Sequence, residues 1–210
     1  MKIGIYPGSF NPVHVGHLAI ANYLAEYEGF DQIWFLITPQ NPLKKKDELL
    51  DQNFRLELLE KSIRGYDKFQ ISTIEWDLPQ PSYTVNTLQK LRVTYPNDTF
   101  ELIIGSDHWS TFHRWKDYQL ILKNFQTLIY PRRGSDRFFL NHPNVRLCKG
   151  APKIEISSTF IRKSIEEGKD VRFYMPQNTF EEVINNGFFK PKIEDDSDDC
   201  INIDIETITL

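Results

Sequence analysis

Ile3-Gly4-Ile5-Tyr6, followed at once by Gly8-Ser9-Phe10-Asn11-Pro12-Val13-His14-Val15-Gly16-His17, decides the fold. The short apolar run reads as a buried strand, and the Gly/Pro-rich turn after it opens into helical spacing. Turn amides, the N–H groups of a helix start and two imidazoles together offer an anion three kinds of donor. Gly16 leaves the backbone bare between His14 and His17, so a phosphate is expected to approach closely there. The helix dipole disfavours a cationic imidazole at this end, yet a neutral one still donates an N–H to a phosphate oxygen. The stretch reads as a nucleotide-phosphate site, in which Gly8, Ser9 and Phe10 form the loop and Ser9 adds a hydroxyl and an amide.

Outward from this unit, apolar runs alternate with helical patterns, the mark of a parallel sheet wrapped by helices. Ile3–Tyr6, Ile33–Ile37, Phe69–Ile74, Phe100–Ile104, Thr127–Tyr130 and Val145–Cys148 read as strands. Ile33-Trp34-Phe35-Leu36-Ile37 is apolar throughout, as befits a strand covered on both faces. Helices are expected over 17–24, with Leu18, Ala21 and Leu24 inward, and after Asp51 as N-cap, with Phe54, Leu58 and Leu59 inward. A third follows a cap at Ser82 or Thr84 and buries Val85, Leu88 and Leu91. Helical residues run from Gly105-Ser106-Asp107 to Leu122, another helix starts at Ser157 or Ser158, and the last, Phe180–Asn186, stops at Gly187. The expected fold is α/β: a Rossmann-like, doubly wound parallel sheet in a single domain over 1–190. Residues 191–210 form an acidic tail whose segment 201–208 alternates strictly and suits an edge strand.

At 210 residues the chain holds one well-buried α/β domain. Seven acids in the last twenty residues account for the negative net charge and leave the body nearly neutral. That balance suits binding small anions at defined points, and no nucleic-acid partner is expected, since Lys44-Lys45-Lys46 is a thin basic run without aromatic company. Cys148 and Cys200 have no metal-ligand spacing, so no resident metal is expected. No apolar stretch reaches membrane-spanning length and no signal segment precedes Lys2, so a cytoplasmic protein without membrane contact is expected.

In open parallel sheets ligands sit beyond the carboxyl ends of the strands, where strand order reverses. The first strand delivers His14 and His17 to that edge and the fourth delivers Gly105-Ser106-Asp107. The chain has neither GxGxxG after its first strand nor GxxxxGK[ST], which argues against a dinucleotide oxidoreductase and against a P-loop enzyme. Asp107 is expected on a ribose or an adenine amine, and Arg132 and Arg133, at a strand end, on phosphate or in solvent. Ser157-Ser158-Thr159 with Arg162 one turn on reads either as a plain serine cap with an exposed arginine or as a second phosphate site.

These segments resemble a known family. GSFNPVHVGH is similar to the HxGH signature of the nucleotidyltransferase superfamily, and Ile156–Arg162 to its ISSTxIR element. Pro81-Ser82-Tyr83-Thr84 with Thr87-Leu88, Gly105-Ser106-Asp107 with Thr111, Phe112 and Trp115, and Arg132-Arg133-Gly134 resemble bacterial nicotinate-nucleotide adenylyltransferases. The likeness runs in order over roughly residues 1–190. It implies that His14 and His17 contact the phosphates of ATP, that Ser157, Ser158, Thr159 and Arg162 hold the leaving pyrophosphate, and that Lys44 neutralises the triphosphate. Lys45 can equally take that last role, and Leu43 stands where the family commonly has histidine. Pro7 and Asn11 stand where relatives often have Gly and Asp. The resemblance places Trp115 against a pyridine ring, with Ser82 and the amides of Tyr83 and Thr84 around its carboxylate. The implied reaction is adenylyl transfer from ATP, with Mg²⁺, to nicotinate mononucleotide by in-line attack without a covalent intermediate. Alternatives are a nicotinamide mononucleotide or other phosphate acceptor, and a nucleotide-binding regulator without turnover. A homo-oligomer is compatible with all of them.

Overall fold

The computed structural model describes residues 1–39, 49–132 and 142–191. Lys44, Lys45, Lys46, Arg133, Gly134, Cys200 and the alternating segment 201–208 lie outside the described residues.

Six parallel strands, β1 (Lys2–Gly8), β2 (Gln32–Ile37), β3 (Phe69–Ser72), β4 (Thr99–Gly105), β5 (Gln126–Tyr130) and β6 (Val145–Leu147), form one sheet in the order β3-β2-β1-β4-β5-β6. The period-two alternation of a strand sends successive side chains to opposite faces. In β1, Ile3 and Ile5 therefore enter one core while Tyr6 enters the other. The Tyr6 face is covered by α1 (Val15–Tyr27), α2 (Gln52–Ile63), α6 (Ser158–Glu166) and α7 (Gln177–Asn185), through Leu24, Leu58, Ile161 and Val183 among others. The opposite face is covered by α3 (Thr84–Thr94) and α5 (Tyr118–Asn124), through Leu88, Leu91 and Ile121, with Trp109 of the one-turn α4 (Ser106–Trp109). The sheet is doubly wound, as the apolar strands imply. Strands added after β1 run first to one side and then, from β4, to the other, so β1 and β4 flank the point where the winding reverses.

Several local expectations change. Phe54 is 43% exposed and packs on Phe188, while its neighbour Arg55 is 1% exposed. Neither Ser82 nor Thr84 caps α3: Tyr83 holds the N-cap position and makes no side-chain cap bond. The expected helix from 106 to 122 is broken into α4, a 3-10 turn at Phe112–Arg114, and α5, which begins after Asp117 in the left-handed region at φ 51°. The last helix starts earlier, after Pro176, and ends as expected before Gly187, whose φ of 66° a glycine adopts without strain. Asp51 caps α2 by accepting from the Asn53 amide at 2.8 Å.

Candidate active site

A cavity of about 420 Å³ opens at the carboxyl ends of β1 and β4, walled by Gly8, Ser9 and Phe10 on one side and Ile104 and Gly105 on the other. Three helix N-termini meet on it: His14 and His17 at α1, Tyr83 and Thr84 at α3, and Ser157, Ser158 and Thr159 at α6. The first two lack a side-chain cap bond, whereas Ser157 accepts from the Phe160 amide at 3.1 Å. Helix starts leave N–H groups without intrahelical partners and carry partial positive charge, so the cleft is built for more than one anion.

The two imidazoles stack, with centroids 3.7 Å apart and planes 23° from parallel, and the Phe10 ring meets His17 edge-on. Phe10 reaches that place with a φ of 42°, which places the turn of the loop at this residue. His14 is 1% exposed. Burial first, and the nearby Arg132 cation second, pull its pKa from 6.5 to about 3, so it sits in the fold as neutral imidazole. In the unfolded chain it binds a proton near its ordinary value. The resulting stability is fully present above pH 6.5 and is lost as pH falls toward 3, by about 2 kcal/mol at pH 5. Urea unfolding at pH 8 and pH 5 should show this slope in the wild type and a smaller one in His14→Gln. Equal slopes in the two proteins would refute the assignment.

Gly16 serves a different purpose from the one its sequence position suggests. A Cβ there would lie 3.0 Å from Nδ1 of His14 and 3.3 Å from Cγ2 of Ile154. The glycine makes room for the His14 ring, and it is not among the residues lining the cavity.

The loop after β1, from Ser9 to Pro12, is held from behind by side chains that read as unrelated in the sequence. Arg55 donates from Nε to the Leu50 carbonyl at 3.0 Å, from Nη1 to those of Ser9 at 2.9 Å and Thr38 at 2.8 Å, and from Nη2 to that of Pro39 at 3.0 Å. Asn11 Oδ1 accepts from the Leu50 amide at 3.1 Å, a role its amide oxygen fills as an aspartate would. Ser158 Oγ donates to the Pro12 carbonyl and Arg162 Nη1 to the Asn11 carbonyl, both at 2.9 Å. Ser158 and Arg162 do face one target, but it is the loop itself. Arg162 is not among the lining residues.

The far wall carries Ser82, Tyr83, Thr84 and Trp115. Behind them lies Glu75, 3% exposed, which sequence reading passed over. Its two oxygens accept from Ser82 Oγ at 3.2 Å and Thr87 Oγ1 at 2.8 Å, on either side of Tyr83 and Thr84. Burial pushes this carboxyl above its ordinary range, against the hydroxyls of Thr87, Ser82 and Thr38. Glu75→Ala should cost about 1–3 kcal/mol by stranding the buried Ser82 hydroxyl and leaving Thr87 only its longer bond to the Tyr83 carbonyl, at 3.3 Å, while Glu75→Gln keeps an acceptor and costs less. Thermal melts of both variants check this; equal losses would refute it.

At the ends of β4 and β5, Gly105 leaves space for Asp107, whose Oδ1 would lie 2.3 Å from a Cβ there. Asp107 is not among the lining residues: its Oδ2 accepts from Nη1 of Arg132 at 3.3 Å, and Arg132 lines the cavity. Ser106 Oγ accepts from the Arg132 amide at 2.7 Å and fixes this strand end. The buried phenols of Tyr6 and Tyr130 meet at 3.4 Å between oxygens, and burial raises both pKa values, so they remain protonated in the floor of the cleft. Tyr6, Tyr130, His108, Arg114 and Lys116 also line the cavity, and no motif in the sequence marks them.

A strand order of 3-2-1-4-5-6 with anion-binding helix starts gathered at the reversal defines a nucleotide-binding α/β protein of the Rossmann-like class. The chain belongs to the cytidylyltransferase-like family, whose model matches residues 5–164, and within it to the nicotinate-nucleotide adenylyltransferases. A probable nicotinate-nucleotide adenylyltransferase of Azobacteroides pseudotrichonymphae is 64% identical over 191 residues, 91% of this chain and 100% of the relative. Relatives of the same name from Flavobacterium johnsoniae and Bacteroides thetaiotaomicron are 47% and 49% identical, over 90% and 86% of this chain and 100% and 90% of theirs. Among solved structures, Plasmodium falciparum nicotinic acid mononucleotide adenylyltransferase complexed with NaAD superposes with a TM-score of 0.74. That likeness, at 20% identity, spans 90% of this chain and 97% of the other and concerns the fold. No helix among the described residues is long and apolar enough to cross a membrane.

Proposed function

We propose that the protein transfers the adenylyl group of ATP to nicotinate mononucleotide, forming deamido-NAD and pyrophosphate in NAD biosynthesis. The observation that carries this reading is the meeting of three helix N-termini, two without side-chain caps, on one cleft that also presents Trp115. One anion-binding end serves the triphosphate and the other the acceptor.

The chemistry follows from charge. The acceptor's 5′-phosphate is largely ionised at neutral pH, because its second pKa is about 6. One of its oxygens attacks the α-phosphorus of ATP; the bond from that phosphorus to the bridging oxygen of the β-phosphate breaks, and pyrophosphate departs with the electron pair. No proton has to be removed from the nucleophile. The protein's tasks are alignment and stabilisation of the charge on the transferring and leaving phosphates. His14, held neutral, and His17 suit the role of donors at the phosphates, with Ser9, Arg132 and the Ser157–Thr159 helix start around them. Lys44 or Lys45 would add a cation to the triphosphate. Trp115 offers a face for the pyridine ring and the α3 start offers N–H donors for its carboxylate.

Among the described residues no three His, Cys, Asp or Glu side chains gather into a metal-holding group. The donor set therefore suits a Mg²⁺ that arrives on ATP, held by phosphate oxygens and water and neutralising phosphate charge. A homo-oligomer and a cytoplasmic location fit this reading.

ATP labelled at the α-phosphorus tests the reaction. Label recovered in a dinucleotide, with unlabelled pyrophosphate, supports adenylyl transfer. Label recovered in ADP, or in AMP without a dinucleotide, overturns it.

A further inference from the structure

We propose that Lys116 determines the choice of acceptor, favouring a pyridine ring that carries a carboxylate over one that carries a carboxamide. The inference rests on the pyridine-nucleotide acceptor proposed above and names the residue that reads its ring substituent.

Lys116 follows Trp115 in the chain, and both line the cavity. The Trp115 ring is fixed from behind by Phe112, with centroids 5.0 Å apart, and its amide donates to the Phe112 carbonyl at 2.9 Å. From that fixed point the Lys116 side chain reaches along the same wall, where Nζ stands 4.5 Å from the centroid of the Tyr83 ring. An ammonium over an aromatic face is attracted to it, so this cation is held at the acceptor wall. Tyr83 is the N-cap of α3, the helix start that faces the ring substituent in the proposed site.

Two other charged groups of the cleft are engaged elsewhere. Arg132 pairs with Asp107, on the β4–β5 side. Glu75, the carboxylate among the lining residues, directs its oxygens to Ser82 and Thr87. Arg114 and Lys116 both line the cleft and both are exposed; Lys116 is the one seated over Tyr83 at the α3 start.

A carboxylate and a carboxamide are nearly equal in size and stack alike, and each presents an oxygen to the α3 amides. They differ in charge, and the carboxamide puts an NH2 donor where the carboxylate has a second acceptor; the α3 start reads part of that difference, and a cation fixed beside it adds to the discrimination. Nicotinate and nicotinamide mononucleotides share the same ribose phosphate, so the ratio of their kcat/KM values cancels every contact to that part.

The test is that ratio in wild type, Lys116→Gln and Lys116→Arg, at low and high ionic strength. Lys116→Gln should lower the acid-to-amide ratio about five- to tenfold, the scale of a charge pair several ångströms apart at a protein surface. Lys116→Arg should keep most of the preference, and salt should erode it in the wild type. A purely structural role under Tyr83 would depress both acceptors alike and leave the ratio unchanged; that result overturns the inference. Wild-type enzyme that uses neither acceptor would overturn the proposed reaction and this inference together. Acid preference that survives Lys116→Gln would overturn the inference alone.

Discussion

His17→Ala is expected to lower kcat for adenylyl transfer by about 10²–10³-fold, the cost of removing one preorganised donor from a developing oxyanion. His17 sits in the first turn of α1, and its ring is fixed between the stacked face of His14 and the edge contact from Phe10. A ring held so firmly has little reorganisation left to make when charge moves onto the phosphates. The His17 side chain is only partly buried, so its loss leaves the Tyr6, Phe10 and Phe35 cluster of the core in place. Melting temperature should therefore change little while turnover collapses. A folded His17→Ala protein with near-wild-type turnover would remove His17 from the chemistry.

Arg55→Ala should produce the largest loss of stability, about 3–5 kcal/mol. The guanidinium is 1% exposed and its partners are four backbone carbonyls, which lose a charged donor together when the side chain is removed. Those carbonyls belong to Ser9 in the loop after β1, Thr38 and Pro39 beyond β2, and Leu50 before α2. One planar fork thus sets the relative positions of three segments around the cleft. Lysine offers a point charge without the fork, so Arg55→Lys should recover only part of the stability. Denaturant titration of both variants measures this. Alanine and wild type unfolding at the same midpoint would show that the hub is dispensable.

The doubly wound sheet was legible because strands such as Ile33–Ile37 are apolar on both faces, which only a sheet covered twice requires. His14, His17 and the Ser157–Thr159 helix start were legible as well, since each is a polar group placed where a helix must begin. The break between α4 and α5 was not. It depends on Asp117 adopting a left-handed conformation, which aspartate tolerates but does not announce. Phe54 and Arg55 exchanged their expected places for a related reason. Helical periodicity assigns the apolar residue inward, while the carbonyls that draw Arg55 in come from segments far along the chain. The sequence offers Ser82 or Thr84 as the cap of α3, yet the Ser82 hydroxyl is taken by Glu75, a pairing across seven residues that no capping pattern contains. Gly16 suggests a backbone kept bare for a phosphate, whereas the atoms that would crowd a Cβ there belong to His14 and Ile154. In each case the residue type was informative and its partner was not, because partners are chosen by the fold. Lys44 falls among residues outside the described ones, and its part in the site rests on family resemblance.

The most direct test of the account is pyrophosphate release from Mg·ATP by the purified protein, with nicotinate or nicotinamide mononucleotide as acceptor. Acceptor-dependent release with a clear preference for the acid is expected. Absence of release with both, from a folded protein that binds ATP, would contradict it.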